Sequence, residues 1–336
     1  MSTIRQNINI SQAIAESLRL EMEADERVLV LGEDVGRQGG VFGSTRGLQK
    51  AYGAERVLDT PISEMAFTGM AVGLAMEGYR PVVEIMFADF IGVCLEQIYN
   101  AMAKIPYMSG GTVSMPIVVK TAGGAIGSAA QHSQSLWGTF AHLPGLRVVA
   151  PSSPHDSKGM MAAAVLSDDP VVFIEHKGLL LKKAASFTHG TEVPKERYLV
   201  SLDQANVVRA GTDLTIVTLS ATVGAALEAA DVLAEAGTSV EVIDLRSVVP
   251  IDWATIVESL RKTRKLLVVD EDYLGFGLSG EIVTGAIERL GLRGLDQAAR
   301  HGLANVPIPA SITLEQAVLP TSESIVRAVR RMEEDS

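Results

Sequence analysis

The stretch Val28-Leu29-Val30-Leu31-Gly32-Glu33-Asp34 decides the fold class of this chain. Four consecutive apolar residues with no polar side chain between them predict a strand that is buried on both faces, as in parallel sheets. Before this strand, residues 11–22 have the apolar spacing of an amphipathic helix, and Ser11 can cap its start. A helix followed by a doubly buried strand indicates an α/β fold.

The same alternation continues along the first half of the chain. Further strands are predicted at residues 82–87, 117–120, 147–150 and 171–174. Helices are predicted at residues 91–104 and 155–166, with Ser153 or Asp156 as the cap of the second one. Strands that alternate with helices of this length predict a parallel sheet covered on both faces.

A second α/β unit follows an irregular segment, residues 177–207, which has no clear period and is interpreted as a linker or a crossing arm. Beyond it, the pattern predicts strands at 213–220, 240–245 and 266–270, and helices at 221–236 and 253–261. Gly237 stands where a helix commonly ends. We therefore expect a first domain at residues 1–180, a linker at 181–205 and a second domain at 206–336.

Composition limits the class of protein. The 336 residues are 47% hydrophobic and 21% charged, which is typical of a globular protein with a large core. A formal net charge of −11 argues against nucleic-acid partners and anionic membranes. One cysteine, Cys94, rules out an intramolecular disulfide and fits a reducing compartment. With no apolar run long enough for a membrane span and no apolar signal core at the start, a cytoplasmic location is expected.

Common nucleotide and nucleophile motifs are absent from the first domain. Within residues 1–180, no predicted strand is followed by G-x-G-x-x-G, by a P-loop or by a G-x-S-x-G elbow. Glycines cluster instead at Gly36, Gly39, Gly40 and Gly43. They indicate either loops that need positive φ or a backbone that approaches a ligand closely.

A candidate catalytic carboxylate lies in the stretch Asp59-Thr60-Pro61-Ile62-Ser63-Glu64. Ser63 can cap a helix that is apolar almost all round, so this helix is expected to be buried. Glu64 then lies in its first turn. Two interpretations stay open: a carboxylate that favours the positive end of the helix dipole, or a carboxyl that contacts a ring nitrogen of a cofactor.

A candidate histidine lies in Ala129-Ala130-Gln131-His132-Ser133-Gln134-Ser135. The stretch follows a strand and a glycine-rich loop, where α/β folds carry their site residues. A lone histidine is more often structural, but the polar neighbours on both sides favour a functional role for His132.

Together these segments resemble the beta subunits of 2-oxo acid dehydrogenase complexes, which belong to the transketolase superfamily. The matching segments follow the order of the family and span nearly the whole chain: residues 31–35, 59–64, 86–90, 130–134, 143–146, 244–246 with Pro250 and Asp252, and 268–271. The resemblance implies a transketolase-like pyrimidine-binding domain with a parallel sheet, followed by a transketolase C-terminal-like domain.

The resemblance also implies roles for individual residues. Glu64 matches the glutamate that contacts the aminopyrimidine ring of thiamine diphosphate, and Phe90 matches an aromatic residue that packs on that ring. His132 matches an active-site histidine expected to assist proton transfer or reductive acylation. Glu33 and Asp89 are expected in acidic networks near the cofactor or the interface.

A structural potassium ion is bound by some members of this family. The matching positions in this chain are Ile117, Ala164, Ser167 and Asp169. Ser167 and Asp169 replace the aspartate and asparagine of some relatives, so backbone carbonyls would have to supply the ligands.

One family motif is missing. Superfamily enzymes bind the diphosphate through magnesium with a Gly-Asp-Gly motif, and this sequence contains none. The resemblance therefore implies that magnesium is held by a separate alpha subunit, with the cofactor shared at an alpha–beta interface in a heterotetramer. It also implies docking to a dihydrolipoyl acyltransferase core.

The substrate is left open between pyruvate-type 2-oxo acids and acetoin. Residues 86–94 and Glu175-His176-Lys177 are most similar to acetoin dehydrogenase beta subunits, and Gln131-His132 is shared with pyruvate-type enzymes. Two alternatives remain: half of a split transketolase-like enzyme, and a non-catalytic subunit that serves assembly alone.

Overall fold

Two parallel sheets with helices on both faces form the framework of the computed structural model, which describes residues 4–334. The strands are β1 Ile4–Arg5, β2 Val28–Gly32, β3 Val57–Asp59, β4 Arg80–Ile85, β5 Val118–Gly123, β6 Arg147–Val149, β7 Val171–His176, β8 Val193–Pro194, β9 Asn206–Arg209, β10 Leu214–Thr218, β11 Val240–Asp244, β12 Ser247–Val249, β13 Lys265–Tyr273 and β14 Gln297–Leu303. The α-helices are α1 Ile10–Ala24, α2 Leu48–Tyr52, α3 Glu64–Met76, α4 Ile91–Glu96, α5 Ala103–Met108, α6 Trp137–Ala141, α7 Pro154–Leu166, α8 Thr222–Glu235, α9 Trp253–Thr263, α10 Leu278–Leu290, α11 Ile312–Val318 and α12 Ser322–Glu334. A π-helical turn, Gln97–Met102, joins α4 to α5, and 3-10 turns cover Ala88–Phe90 and Ala184–Ser186.

The larger sheet has seven strands in the order β12-β6-β7-β5-β4-β2-β3. Six of them run parallel, and β12 pairs antiparallel with β6. All five residues of β2 are buried, as its unbroken apolar sequence predicts. Because β12 follows β11 of the second sheet, the second domain supplies the edge strand of the first domain's sheet.

The smaller sheet has the order β14-β13-β10-β11-β9, with only β9 antiparallel among these strands. Helices α8 and α12 cover one face of this sheet, where they pack against the strand residues Ile216, Val242 and Val269. On the other face, a hydrophobic cluster that includes Val217 and Ile243 continues into the first domain. The two-domain α/β prediction is therefore confirmed, and one of the hydrophobic clusters spans both domains.

The irregular segment between the domains packs against the first domain. Its strand β8 pairs with β1, and the buried Lys158 of α7 donates from Nζ to the backbone oxygens of Pro194 (2.6 Å) and Lys195 (3.0 Å). Arg197 pairs with Glu21 of α1 at 2.8 Å. The segment is thus an arm fixed by buried polar contacts.

Helix starts differ in part from the sequence expectations. Ser153 caps α7 by accepting from the backbone N–H of Asp156 at 3.2 Å, as predicted. The prediction that Ser11 caps the first helix is wrong: α1 begins one residue earlier, and Asn9 caps it through a capping box with Gln12. Among the described helices, none is both long and apolar enough to cross a membrane.

Helix α3 is only half buried, which corrects the expectation of all-round burial. One face packs Phe67, Ala71, Val72 and Ala75 into the core. The other face leaves methionines open, with Met65 at 52% and Met70 at 42% exposure. The apolar residues of α3 therefore serve two surfaces, and only one of them is covered by this chain.

Candidate active site

The predicted site residues meet at one edge of the larger sheet. Glu33 follows β2, Glu64 begins the helix after β3, Asp89 and Phe90 follow β4, and His132 lies in the loop after β5. The carboxyl ends of parallel strands share one edge, which is where open α/β sheets bind ligands.

Glu33 and Glu64 form an acidic pair at this edge. Both are partly buried, and burial together with the neighbouring carboxylates of Glu64 and Asp34 raises the pKa of Glu33. One oxygen of Glu33, Oε1, is buried without a partner among the described residues. Burial, and less strongly the charge of Glu64, also raises the pKa of the Cys94 thiol. Two carboxyl groups with a free acceptor here suit a ligand that brings a hydrogen-bond donor.

An aromatic cluster lies at the same edge of the sheet. The His132 ring is edge-on to Phe87 and Phe90, with ring centroids 5.2 and 5.4 Å apart, and Phe87 and Phe90 are 5.3 Å apart. Edge-on contacts of this kind fix ring orientation. His132 and Phe90 thus lie side by side and partly open, as a histidine near a ring-binding aromatic requires.

Asp89 braces the loop that carries His132. Its Oδ1 accepts from the side-chain amide of Gln134 at 2.8 Å and from the Gln134 backbone at 3.4 Å. Its Oδ2 is buried without a partner among the described residues. The geometry gives Asp89 a supporting role, with one oxygen left for a further donor.

Lys177 lies at the site, but the sequence analysis gave it no role and named it only within the stretch Glu175-His176-Lys177. It follows β7, is 5% exposed, and hydrogen-bonds from Nζ to the backbone oxygen of His132. The same atom lies 5.0 Å from the centroid of the Phe87 ring. Burial lowers the pKa of Lys177 to about 8, against the opposing charges of Asp89, Glu271 and Glu315.

Two acidic residues of the second domain accept hydrogen bonds from first-domain side chains near the site. His176 donates from Nε2 to Glu271 at 2.9 Å, because its Nδ1 accepts from the backbone N–H of Gly178 at 3.1 Å. Gly124 makes this approach possible: a Cβ there would lie 2.1 Å from His176 Nε2, and its φ is +84°. Trp137 Nε1 donates to Asp270 at 2.9 Å.

The buried Asp270 gives a prediction for stability against pH. Burial and the charge of Asp272 raise its pKa from the ordinary 3.8 to about 8. Between these two pKa values the folded state therefore holds a proton that the unfolded state has lost. The stability that this proton contributes falls as pH rises and is lost above about pH 8. Asp270→Asn is neutral at every pH. Between pH 5 and pH 9 its free energy of unfolding should therefore rise by about 1 kcal/mol or more relative to that of the parent chain. Thermal unfolding of both chains at the two pH values measures this, and an unchanged difference in Tm would contradict it.

The four positions proposed for potassium lie together at the start of β5 and in the turn between α7 and β7. Their backbone oxygens already accept hydrogen bonds: Ile117 from Val171 N at 2.9 Å, Ala164 from Ser167 N at 3.2 Å, and Ser167 from Arg80 at 3.1 Å. Asp169 O accepts from Ser167 Oγ at 2.9 Å. Because none of these oxygens lacks a donor, a cation could use only their second lone pairs.

The cofactor that the resemblance implies fits the pyrimidine side of this site. Two buried carboxyl oxygens without partners, the half-open Glu64 and the partly exposed Phe90 ring provide acceptors and an apolar face. For the diphosphate side, no cluster of three or more His, Cys, Asp or Glu within residues 4–334 could hold a metal ion. These residues can thus hold one half of such a cofactor.

The fold and the site define a two-domain protein of the transketolase type. Residues 6–182 match the pyrimidine binding domain of transketolase, and residues 203–325 match the transketolase C-terminal domain. A solved split-gene transketolase, described as an inactive beta4 tetramer, shares the fold with a TM-score of 0.78 at 21% identity, over 97% of this chain and 98% of that one.

Sequence relatives narrow the family. The chain is 41% identical to the beta subunit of acetoin:2,6-dichlorophenolindophenol oxidoreductase of Bacillus subtilis, over 95% of both chains. It is 43% identical to the 2-oxoisovalerate dehydrogenase beta subunit and 40% identical to the pyruvate dehydrogenase E1 beta subunit of the same organism, over 96% of this chain and 97% of each relative. The chain belongs to this family of transketolase-like beta subunits of oxidoreductases.

Proposed function

We propose that this chain is the beta subunit of a thiamine-diphosphate-dependent dehydrogenase that acts on a pyruvate-type 2-oxo acid or on acetoin and passes the acyl unit to lipoyl groups. One observation carries the proposal: Phe90 and His132 lie side by side at the carboxyl edge of the sheet at which the helix of Glu64 begins.

Each site residue has a role in this proposal. When bound, the cofactor supplies the carbanion chemistry that no amino-acid side chain provides. Glu64 would hold the pyrimidine ring by accepting a hydrogen bond from it, and Glu33 would limit the negative charge at that position by repulsion. Phe90 packs on the ring and helps to exclude water. His132, beside Phe90, holds or delivers a proton at the substrate oxygen.

The proposed partner is an alpha subunit. Exposed apolar residues at the start of α3 support an interface there. Ile62 is 85% exposed and Met65 52% exposed, on either side of Glu64. Apolar surface beside a half-built site is typical of a protein interface. The alpha subunit would cover this face, supply magnesium for the diphosphate, and complete a heterotetramer that docks on a dihydrolipoyl acyltransferase core in the cytoplasm.

A structural potassium ion, bound by backbone oxygens alone, is also part of the proposal. It would be bound by the backbone oxygens of Ile117, Ala164, Ser167 and Asp169, each of which already accepts one hydrogen bond. Such an ion would fix this turn and take no part in the chemistry.

Cofactor binding tests the proposed function. The chain is co-expressed with candidate alpha subunits, and calorimetry measures thiamine diphosphate and Mg²⁺ binding to the chain alone and to each complex. We expect tight binding by the complex only, followed by turnover of a 2-oxo acid or acetoin. Tight, magnesium-dependent binding by the chain alone would overturn the shared-site proposal, because it would require a diphosphate site in this chain.

A further inference from the structure

The loop that carries His132 is bonded at both ends by acidic side chains of the second domain. Glu271 accepts from the backbone N–H of Ala125 at 3.0 Å, and both oxygens of Glu315 lie 2.9 Å from the backbone N of Gly127. At the far end, Asp272 accepts from the backbone N–H of Gly138 at 3.2 Å. The first domain therefore carries the histidine, while the second domain holds its loop.

These contacts are costly to build. Glu271 is 6% exposed and Glu315 is 5% exposed, and a buried carboxylate is unfavourable unless hydrogen bonds or a cation compensate for its lost hydration. Backbone N–H groups and the nearby ammonium of Lys177 provide that compensation. Within residues 4–334, neither carboxylate hydrogen-bonds to a predicted cofactor residue, so the placement of both needs another reason.

The loop itself needs external support. Ala129 and Leu136, on either side of His132, have φ values of +61° and +56°. Residues other than glycine rarely adopt this left-handed backbone region, and they persist there only where the surrounding structure fixes them. Within the loop, His132 is held by a long 3.4 Å bond from its N–H to Ala129 O, and by Lys177 on its own carbonyl.

We propose that Glu271 and Glu315 are positioning residues for His132: the second domain sets the position of the catalytic histidine through the backbone of residues 125–127. This inference rests on the proposed function, since it assigns His132 to the reaction. Lys177 links the two parts, because it binds the His132 carbonyl and lies in the field of both glutamates. The two domains must then be docked for the histidine to face the substrate beside Phe90.

Glu315 is the better residue to test, because both of its oxygens serve a single backbone N–H, whereas Glu271 also binds His176. Glu315→Ala removes the acceptor, and Glu315→Gln keeps one oxygen in place. Glu258→Ala, on the exposed side of α9, is the matched control. Each variant is assayed in the complex with the alpha subunit for kcat, KM and cofactor affinity. Hydrogen exchange is followed in the full chain for peptides that cover residues 124–135.

For Glu315→Ala we expect faster exchange in residues 124–135 and a fall in kcat of about 10- to 100-fold, because misplacement by ~1 Å can cost that much. Cofactor affinity should change less than about twofold, since the pyrimidine residues lie elsewhere. Glu315→Gln should recover most of kcat, and Glu258→Ala should match the parent chain.

Several outcomes would overturn the inference. Faster loop exchange with unchanged kcat would show that the loop position does not matter for turnover, and unchanged exchange would show that Glu315 does not hold the loop. A Glu315→Gln variant as slow as Glu315→Ala would also contradict it. If Glu315→Ala does not fold, exchange and kcat of Glu315→Gln and Glu271→Gln decide. A parent complex with no cofactor-dependent turnover would instead reject the proposed function, while the exchange result would still report on the contact.

Discussion

Glu64→Gln is expected to lower kcat of the assembled enzyme by at least about 100-fold, the lower end of the contribution of a positioned acid–base group. Glutamine keeps the shape of the side chain and can still accept a hydrogen bond, but it is neutral and would not stabilise positive charge on a bound pyrimidine ring. Steady-state kinetics of the complex with the alpha subunit measures the effect.

Stability should separate this loss from a folding defect. Burial and the charges of Glu64 and Asp34 raise the pKa of Glu33, so removal of the Glu64 charge relieves repulsion in the folded state. The Tm of Glu64→Gln should therefore equal or exceed that of the parent chain. Glu55→Gln, an exposed carboxylate before β3, is the control and should keep full activity. A Glu64→Gln enzyme with more than about a tenth of the parent kcat would reject Glu64 as the ring-binding carboxyl.

The parts of the site that follow a strand in sequence could be predicted, because local pattern determines them. Buried runs such as Val28–Gly32 identify the strands, and the topology of a parallel sheet brings their carboxyl ends together. Glu64 and His132 lie at such ends. Their chemical roles came from the family resemblance, and they remain proposals that the kinetic tests address.

Contacts between the domains could not be predicted from the sequence. Lys177 of the first domain lies in a segment without periodicity, and two of the carboxylates that act on its charge, Glu271 and Glu315, come from the second domain. The pairing of β12 with β6 is likewise a long-range event with no local signal. Side chains from separate segments become neighbours only through docking of the domains.

Helix α3 shows a different limit. A helix that is apolar all round is buried on every side, but the sequence does not say whether the same chain or another one buries it. Phe67 and Ala71 meet the core of this chain, while Met65 and Met70 stay open beside Glu64. The burial expected from the sequence is thus half fulfilled here, and in the proposed complex the alpha subunit provides the other half.

The largest expected effect on stability belongs to Lys120, in the middle of β5. Its Nζ lies 2.9 Å from Glu84 Oε2 and 2.9 Å from Glu175 Oε1, and all three residues are buried. Burial lowers the pKa of Lys120, but the charges of Glu175 and Glu84 outweigh it, so the net shift is upward. Lys120→Met should cost about 3–5 kcal/mol, because two buried carboxylates lose their cation.

The pH dependence of this defect identifies its cause. Burial already raises the pKa of Glu175, and loss of the Lys120 charge, which opposes this shift, should raise it further. A folded-state pKa above the unfolded value gives stability that is lost as pH rises, so the Lys120→Met defect should be larger at pH 8 than at pH 5. Adding Glu84→Gln and Glu175→Gln to Lys120→Met removes both charges, and should recover part of the stability and abolish the pH dependence. Thermal unfolding of the three chains at the two pH values is the measurement. A defect that is equal at both values would mean that lost packing of the lysine side chain, rather than unpaired charge, destabilises the variant.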